Sequence, residues 1–234
     1  IYQQVAKKRG MELSTLILSQ CESSDVGGMP VVSGGELDRL PRGRVKTACE
    51  KPCILFLDEF PNASILTQQA VMRLVLDREV GARKLHKDSR VMLAGNPMDQ
   101  GVGVNEIPLP MIGRMTMAKL RPTHPEVQAY FQELGSEGST LRALAIDWAA
   151  TLDNATAMLQ FDPPPNAASS GRHWGSPRSW ERGFTLAATM LDAGEPDSGE
   201  MVEIAMSGNV GEEASRSWLA IRRLREKLPS IKEI

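Results

Sequence analysis

The sequence has no apolar run that approaches the roughly 20 residues needed to span a bilayer, so a membrane partner is not expected. No charged-then-apolar leader precedes its first helical pattern. It has only three cysteines, Cys21, Cys49 and Cys53, an odd number that gives no disulfide framework and suits a reducing cytoplasm. Cys49 and Cys53 lie close together, but no histidine or second cysteine pair completes a zinc set around them. The three histidines, His86, His124 and His173, are scattered without ligand spacing. Charge of one sign is also lacking: 27 basic against 29 acidic residues leave a net charge of −2, so no global field favours nucleic acid or a lipid surface. No internal repeat is evident.

What remains is an ordinary globular composition, 41% hydrophobic and 24% charged over 234 residues, enough for one large or two small domains. The chain opens at Ile1 without methionine, inside a helical pattern closed by Gly10, and reads as a fragment whose beginning is missing. Leu13–Leu18 reads as a strand and Ser23–Pro30 as a turn-rich loop. Gly34–Pro52 is polar and basic, with a short helix near its end. A helix starts at Asn62–Ser64 and carries the apolar stripe Ile65, Ala70, Leu74 and Val75 to about Arg78. Val80–Ser89 reads as a hairpin or irregular excursion. Val91–Ala94 and Met115–Leu120 are expected to be further strands. Beyond Pro122 the pattern turns to helices only: Glu126–Leu134, Leu141–Leu159, Arg178–Leu191 and two C-terminal segments ending near Leu228. An α/β half followed by an all-α half predicts two domains, residues 1–122 and 123–234.

The densest signal is Cys53–Phe60, C-I-L-F-L-D-E-F. Four apolar residues without polar alternation suit a strand buried on both faces of a parallel sheet. Asp58 and Glu59 then emerge at its carboxyl end, the edge where ligands bind in open α/β sheets. One carboxylate there can hold a Mg²⁺ shell while the other orients or deprotonates a water, the Walker B arrangement. The bland alternative is a strand entering a helix whose first turn is acidic. Asn96 ends the next buried strand, where its amide can donate to a phosphate oxygen and accept from a water. Arg114 sits directly before Met115–Leu120, at the sheet edge opposite Asp58, from which it can reach a neighbouring subunit's phosphates. Ser176 and Pro177 suit the cap and first position of a helix, placing Arg178 in its first turn. A cation there opposes the helix dipole and points to an anionic partner.

In this order the features resemble the AAA+ ATPases, and within them the MoxR-like group. Leu55–Ala63 (L-F-L-D-E-F-P-N-A) resembles Walker B and the start of the next helix. Gln68–Val80 is similar to the family's following helix, Leu93–Pro97 (L-A-G-N-P) to sensor 1, Pro108–Met115 to the arginine-finger segment, and Gly175–Trp180 to sensor 2. Ser24–Pro30 is similar to the loop after the second strand, and Gly208–Ala214 to a turn in the helical lid. The resemblance implies an AAA+ parallel-sheet core followed by an α-helical lid, ATP and Mg²⁺ as cofactors, and a homo-oligomeric ring, a hexamer in the family, that remodels protein partners. It implies that Asp58 organises Mg²⁺, Glu59 polarises water, Asn96 positions that water, Arg114 acts in trans and Arg178 reports nucleotide to the lid. Gly113, Met115 and Gly95 depart from the family's acidic, aromatic and amidated residues. No G-x-x-x-x-G-K-[ST] occurs anywhere in the sequence, so the core is expected to lack its first strand and phosphate-binding loop, and the chain to be inactive alone. Two alternatives stand beside this reading: a nucleotide-independent scaffold of the same fold, and a DNA-acting relative supported only by the cluster Arg39, Arg42, Arg44 and Lys46.

Overall fold

The computed structural model describes residues 2–96, 105–152, 158–165, 171–197 and 199–225. The chain divides into two compact units, Ile1–Ala118 and Lys119–Ile234.

The first unit is mixed α/β around a parallel three-stranded sheet of order β1-β4-β7. Its strands are β1 (Glu12–Ile17), β4 (Cys53–Asp58) and β7 (Arg90–Leu93). The register pairs Leu16 with Leu57, Ile17 with Asp58, and Leu57 with Leu93, so all three carboxyl ends reach the same edge. β4 is central and buried on both sides, as its unbroken apolar run predicts. Cys53, Leu55 and Leu57 enter a core with Val45, Ala48, Val71 and Leu74. Helix α1 (Tyr2–Lys8) covers the opposite face, where the Tyr2 ring stacks 4.0 Å from that of Phe56.

Between β1 and β4 the chain differs from the expected loop and polar stretch. A short helix α2 (Ser23–Gly27) leads into an antiparallel hairpin, β2 (Met29–Ser33) and β3 (Glu36–Leu40), then α3 (Gly43–Glu50). Gly34 and Gly35 form the hairpin's turn, both at positive φ, a conformation glycine adopts without steric cost. The hairpin has no buried face to impose apolar alternation: Val32 is 76% and Leu37 71% exposed. β4 continues into α4 (Ile65–Asp77), capped by the Ser64 hydroxyl accepting from Thr67 N at 3.2 Å. The excursion after it is a two-residue hairpin, β5 (Glu79–Val80) with β6 (Arg83–Lys84). Helix α5 (Leu109–Ile112) follows the undescribed segment 97–104.

Met115–Leu120 is not a strand, which corrects the expectation. Among the described residues no strand pairs with it, and of its side chains Met115 alone packs against the unit's core. Met117 is 59% and Leu120 68% exposed.

Among the described residues the second unit has helices and no strand: α6 (His124–Gln132), α7 (Thr140–Ala149), α8 (Pro177–Asp192), α9 (Glu200–Val210) and α10 (Glu212–Arg225). A reciprocal Thr123–Glu126 capping box starts α6 two residues earlier than expected. The helix expected over Leu141–Leu159 ends as α7 at Ala149. Residues 153–157, and those after Arg225, lie outside the described residues. The core is an aromatic cluster of Phe131, Trp148, Trp180, Phe184 and Trp218, all fully buried. No described helix is long and apolar enough to cross a membrane.

Candidate functional site

The site is built where β4 stops. Asp58, half-buried, ends the strand, and its Oδ1 accepts from Glu59 N at 2.9 Å. That bond turns the chain sharply: Glu59 adopts φ 55°, ψ 36°, left-handed backbone that a non-glycine residue rarely takes. A 3₁₀ turn over Phe60–Asn62 follows, with Phe60 and Pro61 buried while Glu59 stays exposed. The strain thus falls on the residue whose carboxylate faces solvent at the carboxyl edge of the sheet.

The β7 end is sewn to this turn. Ala94 N donates to Leu57 O and Phe60 N to Ala94 O, each at 2.9 Å. A Cβ added to Gly95 would lie 2.1 Å from Pro61 Cδ, so the proline ring occupies the space of any side chain there. With Pro61 in the turn, only glycine fits before Asn96. Asn96 follows, exposed, on the β7 side of the edge that Asp58 and Glu59 occupy. Pro97, the last residue of the sensor 1 resemblance, lies outside the described residues.

Three contributors were not read from the sequence. Ser19, in the 3₁₀ turn after β1, donates its hydroxyl to Glu59 Oε2. Gln68, on α4 and 2% exposed, directs its amide at the carbonyls of Phe60, Pro61 and Ala63. Asn105 bonds Pro61 O through its backbone N at 2.8 Å and Ala63 O through Nδ2 at 2.9 Å. A lone serine and asparagine in irregular segments carry no pattern. Gln68 carried a usable signal, a polar residue on the inner face of an amphipathic helix.

Arg114 lies in the turn after α5, exposed, and its guanidinium donates to Pro110 O at 3.2 Å. With no strand after it among the described residues, Arg114 does not stand at a strand's start but in the turn that follows α5. Arg178 belongs to the second unit. It is exposed in the first turn of α8, which Ser176 caps by accepting from Ser179 N at 3.1 Å.

Among the described residues no cluster of three or more His, Cys, Asp or Glu could hold a metal ion. What the edge offers is Asp58, a hard oxygen donor beside a second carboxylate. That donor type fits Mg²⁺, which keeps several waters and takes one or two protein carboxylates plus phosphate oxygens.

The chain matches no family model and no curated protein. Among solved structures it is similar to the crystal structure of NtrX from Brucella abortus, at 14% sequence identity and a TM-score of 0.44, over 94% of this chain and 50% of that one. The chain spans about half the length of that protein.

Proposed function

We propose that this chain is the body of a MoxR-like AAA+ ATPase, a cytoplasmic ring protein that couples ATP hydrolysis to remodelling of protein partners. The single observation that supports it best is the convergence at one sheet edge. Asp58 and Glu59 end the central strand, Ser19 follows β1, and Asn96 follows β7 across the Phe60–Ala94 hydrogen bond. In this reading β1, β4 and β7, neighbours in that order, take the places of the family's strands 2, 3 and 4, and the outer edge of β7 is left for its first strand.

In this reading Asp58 holds Mg²⁺, which when bound neutralises phosphate charge. Glu59 polarises the attacking water and Asn96 orients it against the γ-phosphate. Arg114 serves a neighbouring protomer's nucleotide, a contribution that can reach roughly 10³–10⁵ in rate, so the ring is the competent unit. Arg178 reads nucleotide from the helical unit, which acts as the lid. The backbone cradle and lysine for the phosphates are not among these residues, so turnover belongs to a polypeptide that also carries a phosphate-binding loop.

That same absence favours a second reading for the 234 residues by themselves, a scaffold or interaction module that keeps the fold without the chemistry. The DNA-acting alternative rests on Arg39, Arg42, Arg44 and Lys46, of which Arg42 pairs with Asp25 and Lys46 with Glu50 at the surface. The deciding experiment is Glu59→Gln in a polypeptide carrying the loop. ATP hydrolysis should be lost while ATP binding is kept, and unchanged hydrolysis overturns the reading.

A further inference from the structure

Glu59 stands in a backbone conformation that a long-chain L-residue keeps only when its surroundings over-determine it. The amino-terminal side is fixed by the β4 ladder and by Asp58 Oδ1. On the carboxyl side Phe60 N is fixed to Ala94 O, and Glu59 O and Phe60 O are taken inside the turn by Asn62 N and Ala63 N. The carbonyls of Pro61 and Ala63 are left to be met from outside it. Two side-chain amides converge on them from different elements. Gln68 reaches up from the second turn of α4, its Nε2 lying 3.3, 3.5 and 3.4 Å from the carbonyls of Phe60, Pro61 and Ala63. With two hydrogens for three acceptors, it shares its bonds among them. Asn105 closes the clamp with two shorter bonds, its backbone N donating to Pro61 O at 2.8 Å and its side-chain Nδ2, the one bond that Asn105→Ala removes, to Ala63 O at 2.9 Å.

We propose that Gln68 and Asn105 are positioning residues for Glu59: they pin the turn after it, and so hold Glu59 in the left-handed backbone that brings its carboxylate to Ser19. A structural role alone would have the two amides satisfy buried carbonyls. The positioning role adds that Glu59 moves when they are removed. Its consequence for turnover rests on the reading of Glu59 as the water-polarising carboxylate; the clamp itself does not.

The test uses the 234-residue chain, isotope-labelled, with Asn105→Ala and Gln68→Leu. Asn105→Ala decides the matter if the buried Gln68→Leu fails to fold. The readouts are the Glu59 Cα and Cβ chemical shifts and its HN–Hα coupling, which report φ directly. In a folded variant these should leave their left-handed values for extended ones while the β1 and β4 amide signals stay in place. Unmoved Glu59 signals in folded Asn105→Ala overturn the proposal. In a polypeptide carrying the phosphate-binding loop, Asn105→Ala should lower kcat about tenfold or more at unchanged KM. Glu59 signals that move with kcat unaffected support the clamp and overturn the ATPase role of Glu59.

Discussion

The Ser19 hydroxyl donates to the Glu59 carboxylate across the ends of two neighbouring parallel strands. The register explains how they meet: Ile17 lies level with Asp58, and each chain turns at once, through Leu18–Gln20 on one side and through left-handed Glu59 on the other. The carboxylate is therefore aimed by two features, its own backbone and a partner on β1's side.

Replacing Ser19 by alanine should release the side chain without unfolding the unit. The bond lies in solvent, so its loss should cost no more than about 0.5–1.5 kcal/mol. The Glu59 side-chain proton signals should collapse toward rotamer-averaged values in Ser19→Ala and keep their dispersion in Ser19→Thr, which retains the hydroxyl. Preserved dispersion in the alanine variant would show that the backbone alone aims the carboxylate.

Gly95→Ala should strain the link between the two strand ends. The new methyl would meet Pro61 Cδ at 2.1 Å and Cγ at 2.6 Å, and overpacking of this kind costs about 1–3 kcal/mol. Pro61→Ala removes the ring, so the double variant should be more stable than the sum of the single changes by about 1 kcal/mol or more. Urea unfolding followed by amide exchange in β4 and β7 measures the cycle. Additive losses would mean that the ring and glycine are not coupled.

The parts of this site legible in the sequence were those where burial dictates composition. Ile54 to Leu57 had to be apolar because helices cover both faces of β4, and the polarity break at Asp58 marked the strand's end. Asn62–Ser64 before a helical stripe marked the start of α4. The β2–β3 hairpin was illegible for the converse reason: strands exposed on both faces need no pattern, and Pro30, Glu36, Asp38 and Arg39 made it read as loop. Met115–Leu120 failed differently. Its residues suit a strand, but pairing is a tertiary fact that no local pattern contains. Ser19 and Asn105 act through where the fold puts them, and single polar residues in turns carry no signal of that.

Acid should weaken the α2 region through Asp25. Arg42 donates a hydrogen bond to its carboxylate, and Glu22 N donates another at 2.9 Å as part of a reciprocal capping box. Arg42 first and the Glu22 backbone second hold this carboxyl below the usual range. The depressed group stabilises the fold above the unfolded carboxyl's pKa, and the contribution disappears as pH falls through the folded value, below about pH 4. Because the pair is largely solvated, the expected size is that of a cap, about 0.5–1 kcal/mol. Amide exchange in α2 should accelerate over that window in the native chain. Asp25→Asn should show the faster exchange already at neutral pH and little further change on acidification.

In the helical unit, two buried tryptophans make contrasting demands that mutation can separate. Trp180 and Trp218 are both fully buried in the same aromatic cluster. Trp180 Nε1 donates to Met158 O at 2.9 Å, whereas Trp218 Nε1 has no hydrogen-bond partner among the described residues. Either change to phenylalanine shrinks a packed ring and leaves a comparable void. Only Trp180→Phe also strips a buried carbonyl of its donor, which costs about 1–3 kcal/mol, while Trp218→Phe removes an N–H that was already unpaired. Trp180→Phe should therefore be the more destabilising of the two by that margin. All four tryptophans of the chain lie in this unit, so fluorescence-detected urea unfolding of each variant reports it alone. Equal losses would mean that the Met158 carbonyl finds another donor when the indole is gone, and that the cluster is held by ring packing alone.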